Sequence, residues 1–254
     1  MIFYFSGAGN SLYVARRIAA ATGDRLVAVE RCLADGNCRF DCRGERRVGF
    51  VFPVHFWGLP AIVADFLREL KLDNLSGYVF SVATYGTSTG QANWMMARAL
   101  QRISVKLDGC YSVRMVDTWT PMFDLTDAEK NHRCELSAEA EIDAVAESVA
   151  ACRQGRFDRG RVPHLVAGIY HSTYDRQRQT AHFSVDPGRC TGCGLCAHRC
   201  PSSAIEIADG KAKWVKASCT LCLRCLHHCP RFAIQRGSRT ARHGQYVNPH
   251  EKTL

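Results

Sequence analysis

The sequence has no long apolar run. No stretch approaches the ~18 consecutive apolar residues that a membrane-spanning helix requires, so we predict no membrane span. The amino terminus also lacks a basic segment followed by an apolar one, which is the pattern of a secretory signal peptide. These absences predict a cytoplasmic protein. Apolar residues make up 46% of the chain and charged residues 22%, so we expect a packed core rather than extensive disorder.

Cysteine is unevenly distributed along the chain. Eight of the 14 cysteines lie between Cys190 and Cys229. Because cytosolic thiols are kept reduced, such a block indicates metal binding rather than disulfides. Cys32, Cys38 and Cys42 form a second, sparser group. A metal site there is the alternative interpretation, but three ligands with no suitable fourth nearby favour plain thiols.

The first half of the chain alternates short apolar runs with helical patterns, which is typical of a parallel α/β sheet. The predicted strands are 1–5, 26–29, 48–52, 78–84 and 111–116. The predicted helices are 11–21, 60–70, 91–102 and 127–152. We therefore predict an α/β, doubly wound, parallel five-stranded sheet, whose strand order the sequence does not give.

The cysteine block is an internal repeat. Residues 190–201 and 219–230 both read C-x2-C-x2-C-x3-C-P and align at an offset of 29 residues. A cuboidal [4Fe–4S] cluster needs thiolates that converge from one tight loop, and two-residue gaps let the backbone curl around it. Structural zinc is the alternative, but zinc sites usually combine two separated C-x2-C pairs. The predicted metal ligands are Cys190, Cys193, Cys196, Cys200, Cys219, Cys222, Cys225 and Cys229.

Over residues 182–235 this pattern resembles a bacterial two-cluster ferredoxin, in which the fourth cysteine of each run ligates the other cluster. The resemblance implies a small α+β domain with an internal pseudo-twofold repeat and two [4Fe–4S] clusters. It also implies that Cys229 completes the first cluster and Cys200 the second. The second run departs from the first because Leu221 and Leu223 replace the glycines of the first loop, a change expected to shield its cluster from water.

A glycine- and serine-rich segment joins the first predicted strand to a helix. Small residues, hydroxyls and free N–H groups at a helix amino end favour a phosphate, although the segment lacks a Walker lysine and a spaced G-x-G-x-x-G. Two further loops, one of them aromatic-rich, follow the third and fourth predicted strands, at the edge where such sheets bind ligands. The predicted cofactor-binding residues are Ser6, Gly7, Ala8, Gly9, Asn10, Ser11, Pro53, Val54, His55, Phe56, Trp57, Gly58, Thr84, Tyr85, Gly86, Thr87 and Gly90.

These three loops resemble the FMN site of flavodoxins, and the resemblance covers residues 1–153. It implies FMN as a cofactor, although Ala8 stands where flavodoxins commonly have a threonine that contacts the phosphate. A flavodoxin-like domain joined to a two-cluster ferredoxin domain is similar to a family of bacterial and archaeal fusion ferredoxins. We assign residues 154–181 to a connector and residues 236–254 to a basic, flexible tail.

The charge is also uneven. Residues 1–155 carry 17 Lys and Arg against 18 Asp and Glu, whereas residues 156–254 carry 16 against 6. A basic half raises the question of nucleic-acid binding. Thiolate-ligated clusters add negative charge that this count omits, so part of the excess is counter-charge and nucleic acid is not favoured. We predict instead that another redox protein docks near this basic face.

The predicted function is that of an electron carrier that passes electrons between FMN and two [4Fe–4S] clusters and on to a redox partner. One alternative is a flavin-dependent reductase fed by its own clusters, with His55 or Tyr85 as the proton donor. Another is a module that senses redox state or oxygen and keeps an empty flavodoxin-like domain. The sequence gives neither the partner, nor the reduction potentials, nor the oligomeric state.

Overall fold

The structure, a computed structural model, describes residues 1–251. In chain order its elements are β1 (Ile2–Tyr4), α1 (Asn10–Thr22), β2 (Leu26–Ala28), α2 (Val29–Ala34), β3 (Arg39–Asp41), β4 (Arg47–Pro53), α3 (Ala61–Glu69), β5 (Lys71–Asp73), β6 (Tyr78–Tyr85), α4 (Ala92–Arg102), β7 (Gly109–Arg114), α5 (Ala128–Ala150), β8 (Gly155–Arg156), α6 (His164–Ser172), α7 (Tyr174–Gln177), β9 (Phe183–Val185), α8 (Leu195–His198), β10 (Ile205–Ala208), β11 (Lys211–Trp214), α9 (Arg224–His227), β12 (Ile234–Arg236) and α10 (Thr240–His243).

Six strands form one parallel sheet in the order β2-β1-β4-β6-β7-β8. Because β2 lies on one side of β1 and β4 on the other, the connections reverse direction at β1, which confirms the predicted doubly wound, flavodoxin-like fold. The sheet has one strand more than predicted. The added strand, β8, is only two residues long and pairs with the start of β7. So short a strand leaves no apolar pattern in the sequence.

Helices cover both faces of this sheet. On one face α1 and α5 bury residues such as Val14, Ile18, Ile142 and Val149 against the strands. On the other face α3 and α4 contribute a second core, in which Phe66 is fully buried. The phenylalanine-rich strands β1 and β4 contact both layers. Burial on both faces explains why these strands read as near-continuous apolar runs.

The second domain is small and symmetric. Strand β9 pairs antiparallel with β12, and β10 pairs antiparallel with β11. Helices α8 and α9 each span four residues and begin at equivalent positions of the two cysteine runs. The structure therefore confirms an α+β domain with an internal repeat.

The tail prediction was wrong for residues 240–251. Residues 240–243 form α10, and Tyr246, Asn248 and Glu251 are buried. The Asn248 backbone N–H donates to the Ala8 carbonyl (2.8 Å), and Arg16 forms an ion pair with Glu251 (2.6 Å). Arginine- and glycine-rich composition predicts disorder locally, but contacts with the distant first domain order this segment. Residues 252–254 lie outside the described part. Within residues 1–251, no helix has the length and apolarity to cross a membrane.

Candidate cofactor and cluster sites

A cleft lies at the carboxyl edge of the parallel sheet, where β1, β4, β6 and β7 end. It contains about 920 Å³ of non-protein space, a figure that includes open solvent. Every residue of the predicted cofactor set lines this cleft except Gly9, Gly58 and Gly90. The structure thus brings together three loops that are far apart in the sequence.

The first loop approaches the cleft with its backbone. Ser6 Oγ accepts the Gly9 N–H (3.1 Å), Ser11 Oγ bonds Thr84 Oγ1 (2.7 Å), and the Asn10 amide donates to the Val116 carbonyl (3.0 Å). These side chains are therefore committed to bonds within the protein. The first N–H groups of α1 have no intrahelical acceptor and, with the helix dipole, suit a phosphate. The loop fits an anion through its backbone, so the missing threonine hydroxyl at Ala8 matters less than the sequence suggests.

The second loop forms an aromatic wall. Phe56 and Trp57 both have left-handed backbones, with φ of 48° and 58°. Such strain costs about 1–3 kcal/mol per residue and requires support from its surroundings. Here the support comes from aromatic packing: the Trp57 ring lies 4.5 Å from the tilted ring of Tyr170, and the Phe56 ring meets that of Trp119 edge-on at 5.2 Å. This wall suits a flat aromatic ligand.

Three parts of the cleft were not predicted from the sequence: residues 115–119 after β7, Tyr170 in α6, and residues 221–223 of the second cysteine run. The sequence does indicate residues 115–119, because they lie at the end of the fifth predicted strand, at the same edge of the sheet. Tyr170 lies in a segment predicted to be a connector. Residues 221–223 come from the other domain, and no local pattern reveals that contact.

Two ionisable side chains of the cleft have shifted pKa values. Burial raises the pKa of the Asp117 carboxyl, although it accepts the Trp119 N–H (3.1 Å). Burial, together with the positive charges of His171 and Arg178, lowers the pKa of His55 to about 3. His55 Nδ1 bonds the Tyr174 hydroxyl (2.9 Å). His55 is therefore neutral near pH 7, which argues against the predicted alternative role of its imidazolium as a proton donor.

The eight cysteines of the repeat surround two cavities. The first cavity is lined by Cys190, Cys193, Cys196 and Cys229, and the second by Cys200, Cys219, Cys222 and Cys225. These are the two sets of four that the ferredoxin resemblance implies. Backbone N–H groups point at several of the sulfurs: those of Ala204, Leu221 and Ala233 lie 3.2–3.3 Å from the Sγ atoms of Cys200, Cys219 and Cys229.

This donor set fits cuboidal clusters rather than single ions. Among residues 1–251, no three His, Cys, Asp or Glu side chains are close enough to hold one metal ion. A cuboidal cluster instead separates its four sulfur ligands widely around an inorganic core. Burial raises the pKa of Cys222 to about 12 and raises the pKa of Cys225 well above its ordinary value, so these thiols are protonated near pH 7 unless a metal displaces the proton.

The two cavities differ in exposure. Cys193 in the first loop is exposed, whereas Leu221 and Leu223 in the second loop are each only 4% exposed. The second cysteine loop packs directly on residues 6–11 of the first domain, the segment that suits a phosphate and that we call the phosphate-type loop. A Cβ at Gly7 would overlap the Cys222 carbonyl oxygen, so only glycine permits this approach. Residues 221–223, Cys222 included, line both the cleft and the second cavity.

Further bonds fix this arrangement. The Tyr174 hydroxyl bonds both His55 Nδ1 (2.9 Å) and the Thr220 carbonyl (2.9 Å), so it joins the aromatic loop to the second cysteine run. His228 Nε2 lies 3.3 Å from the Gly7 carbonyl oxygen. The tail adds a third connection, because the Gln245 amide donates to the Cys229 carbonyl (2.9 Å).

The second group of cysteines lies elsewhere. Cys32, Cys38 and Cys42 are buried in the core beside α3, and Cys32 Sγ donates to the Ala28 carbonyl (3.3 Å). Burial raises the pKa of all three thiols, to about 11 for Cys32. They therefore behave as small apolar packing groups.

Comparison with known proteins identifies one segment. Residues 182–230 match the family described as the 4Fe-4S dicluster domain, which confirms the prediction of a 4Fe–4S ferredoxin-type domain there. No curated protein matches the chain.

Several solved structures resemble part of the chain. A flavoprotein from Bacteroides uniformis is 14% identical and covers 46% of this chain and 90% of its own, with a TM-score of 0.36. An FMN-dependent NADH-azoreductase from Bacillus anthracis, solved with FMN, is 10% identical over 59% of this chain and 98% of its own (TM-score 0.35). Rubredoxin oxygen:oxidoreductase from Desulfovibrio gigas is 17% identical over 59% of this chain and 36% of its own (TM-score 0.35). Likeness at this level carries no conclusion about cofactor or activity.

Proposed function

We propose that this chain is an iron–sulfur flavoprotein electron carrier that passes electrons between FMN in the cleft and two [4Fe–4S] clusters, and on to a redox partner. The observation that carries the proposal is the shared lining of two cavities. Cys222, flanked by Leu221 and Leu223, lies on the wall between the cleft and the second cysteine cavity. Ligands bound in the cleft and in the second cavity would be separated only by this loop.

FMN accepts one or two electrons and a [4Fe–4S] cluster one, so together they connect two-electron and single-electron chemistry. The protein would position both the flavin and the clusters. The backbone N–H groups of Gly7, Ala8, Asn10 and Ser11 would hold the phosphate, and Phe56 and Trp57 would flank the ring. Cysteine thiolates would ligate the clusters, and Leu221 and Leu223 exclude water from the space between the second cluster and the flavin.

The partner would exchange electrons at the first cluster. Cys193 is exposed, exposed Arg231 lines the same cavity, and exposed Arg189, which pairs with Asp186, directly precedes Cys190. Opposite charge speeds and orients the encounter of redox proteins. We therefore propose a partner with an acidic face, which docks at the first cysteine run and not at the buried second one.

The composition of the anaerobically purified chain tests this proposal directly. We expect about eight iron and eight sulfide per chain, as two [4Fe–4S] clusters require, and about one FMN released on denaturation. In rapid mixing with a limiting single-electron reductant, cluster absorbance should bleach before flavin absorbance does. A chain with full iron and no flavin would contradict the flavin part of the proposal. Colourless protein that gives no paramagnetic signal after dithionite would contradict all of it.

A flavin-dependent reductase is the second candidate, and Asp117 favours it. This carboxyl lines the cleft, and burial raises its pKa, which is a property of proton donors in active sites. If the chain is a reductase, small electron acceptors should be turned over in steady state, and Asp117→Asn should slow turnover without changing flavin content. If the chain shows no turnover with a reduced ferredoxin as donor, the reductase function is contradicted and only the carrier function remains.

A further inference from the structure

Arg224 distinguishes the second cysteine run from the first. The 29-residue offset of the repeat aligns it with Leu195, an apolar residue. Arg224 lies between Cys222 and Cys225, and it is only 8% exposed. A buried guanidinium is costly unless it is paired and hydrogen-bonded, so its presence in one copy alone requires an explanation.

The contacts of Arg224 reach across the two domains. Its Nη2 donates to the Ser6 carbonyl and to Glu30 Oε1 (2.8 Å), and its Nη1 donates to the Arg199 carbonyl (3.3 Å). Its guanidinium carbon lies 5.8 Å from the centroid of the Phe5 ring. Within residues 1–251, its Nε has no hydrogen-bond partner. One carboxylate, Glu30, therefore offsets a cation whose other contacts are neutral.

Other arginines also lie near the second cavity. Arg178 donates through Nε to the Cys219 carbonyl (2.8 Å) and pairs with Asp175, and buried Arg236 stacks on Trp119 at 4.8 Å. Neither is part of the cysteine loop. Lys211 holds the corresponding carbonyl of the first run, that of Cys190 (2.6 Å). Each run carries one arginine without a counterpart: Arg199 of the first run aligns with His228 and is only partly buried, whereas Arg224 of the second run is buried. Arg224 is therefore the buried charge that the two runs do not share.

We propose that Arg224 raises the reduction potential of the second cluster and so offsets the effect of that cluster's burial. The inference rests on the proposed function only in taking Cys200, Cys219, Cys222 and Cys225 as cluster ligands. Reduction adds one electron and no proton, and the donor loses one electron. The added negative charge is disfavoured in a buried site and favoured by a buried cation. Without Arg224, the buried second cluster would be harder to reduce.

The test is a redox titration, followed by electron paramagnetic resonance, of the full chain loaded with iron and sulfide. In Arg224→Leu, which recreates the residue of the first run, we expect the reduction equilibrium of one cluster to fall at least tenfold, or 59 mV for one electron. The other cluster should stay unchanged. Arg224→Lys should keep most of the parental potential. Glu30→Gln removes the compensating charge and should shift the same cluster in the opposite direction.

Two results would overturn the inference. One is an Arg224→Leu protein whose clusters both keep the parental potential, or shift together. The other is a Glu30→Gln protein in which both clusters keep the parental potentials. This result would overturn the inference even if Arg224→Leu assembles only one cluster. None of these readouts requires flavin. A chain that lacks FMN would therefore contradict the proposed function and leave the role of Arg224 open to the same measurement.

Discussion

The first and second cysteine runs have the same spacing but different surroundings. In the first run, Gly192 and Gly194 adopt left-handed backbones with φ of 68° and 78°, and Cys193 between them is exposed. In the second run, Leu221 and Leu223 adopt the same conformation with φ of 57° and 55°. A left-handed leucine costs about 1–2 kcal/mol, whereas glycine adopts this conformation without that cost.

The difference shows which property each loop serves. The spacing and backbone path are common to both loops, and they are what a cuboidal cluster demands. The leucines are tolerated because their side chains are buried in a cluster that includes Phe183 and Leu226 of the second domain, with Phe56 and Trp119 of the first domain packed against it. Burying a leucine stabilises a fold by about 1.5–3 kcal/mol. The first loop is therefore exposed to solvent, and the second faces the cleft.

Removing one ligand from each run should have the largest effect and should separate the roles of the two runs. Cys222→Ser removes the ligand that borders the cleft, and Cys193→Ser removes the exposed one. Each variant should lose about half of its iron, because each retains one complete set of ligands. Iron and sulfide analysis checks this loss. Flavin should remain bound in Cys193→Ser, whereas Cys222→Ser should disturb the cleft wall and weaken flavin binding. Equal flavin contents in both variants would contradict the shared wall.

Exchanging the two leucines for glycine gives the second loop the residues of the first. Leu221→Gly/Leu223→Gly relieves backbone strain but removes two buried side chains, each worth about 2–5 kcal/mol. We expect a net loss of about 2–6 kcal/mol in the free energy of unfolding. Faster bleaching of one cluster in air should accompany the loss. Chemical denaturation and absorbance measure the two effects.

The matched control is Gly194→Leu in the first loop. A Cβ there meets only Ile207, at 4.0 Å, so backbone strain of about 1–2 kcal/mol should be the whole cost. If the double glycine variant were as stable as the parent, the leucines would not be what holds the second loop on the first domain.

How much of this could be predicted depends on the range of the interactions. The parallel sheet and the cysteine repeat follow from patterns over 5 to 30 residues, and these predictions were confirmed. The strand order was not predictable because pairing is decided by contacts between distant segments. The loop of residues 115–119 was predictable in principle, since it follows a strand that the sequence analysis had identified.

Contacts between the domains were beyond any local pattern. Leu221 and Leu223 carried a hint, because leucine in place of glycine in a tight loop requires burial, but the sequence does not say against what. Arg224 gives no signal other than its mismatch with Leu195. The tail was predicted to be flexible from its composition, yet Asn248 lies on the phosphate-type loop. Residues that are more than 200 positions apart in the sequence come into contact only once the chain has folded.

The tail should have a weaker effect. Within residues 236–251, its hydrogen bonds to the cysteine runs go to the second run, where the Gln245 amide donates to the Leu226 and Cys229 carbonyls. Gly9 has φ of 98°, and a Cβ there would lie 2.8 Å from the Asn248 Cβ and 2.9 Å from the Glu251 Cβ. Gly9→Ala should therefore displace the tail as well as strain the backbone. Gly23→Ala is the control, because Gly23 has φ of 72° and no atom within 4 Å of the added methyl.

We expect Gly23→Ala to lower the free energy of unfolding by about 1 kcal/mol and Gly9→Ala by about 1 kcal/mol more. Limited proteolysis should cleave after residue 244 faster in Gly9→Ala only. Equal stability and equal cleavage in the two variants would mean that the tail does not hold the phosphate-type loop.

The smallest expected effect concerns the His55–Tyr174–Thr220 bridge, which the first run lacks. The pKa of His55 is lowered from 6.5 to about 3, chiefly by burial and also by the charges of His171 and Arg178. Between these two pH values the unfolded chain binds more protons than the folded one, so stability rises with pH. The contribution is fully present above pH 6.5 and is lost as the pH falls toward 3, by about 2 kcal/mol at pH 5.

His55→Asn keeps a polar group near the Tyr174 hydroxyl and removes this titration. Between pH 7.5 and pH 5 the parent should lose about 2 kcal/mol more of its free energy of unfolding than the variant does. Other buried groups change both proteins alike, so the difference between the two losses isolates His55. Urea unfolding at the two pH values supplies the four free energies. If the parent and the variant lost the same amount, His55 would titrate near its ordinary pKa, and the bridge to the second cysteine run would be open to solvent.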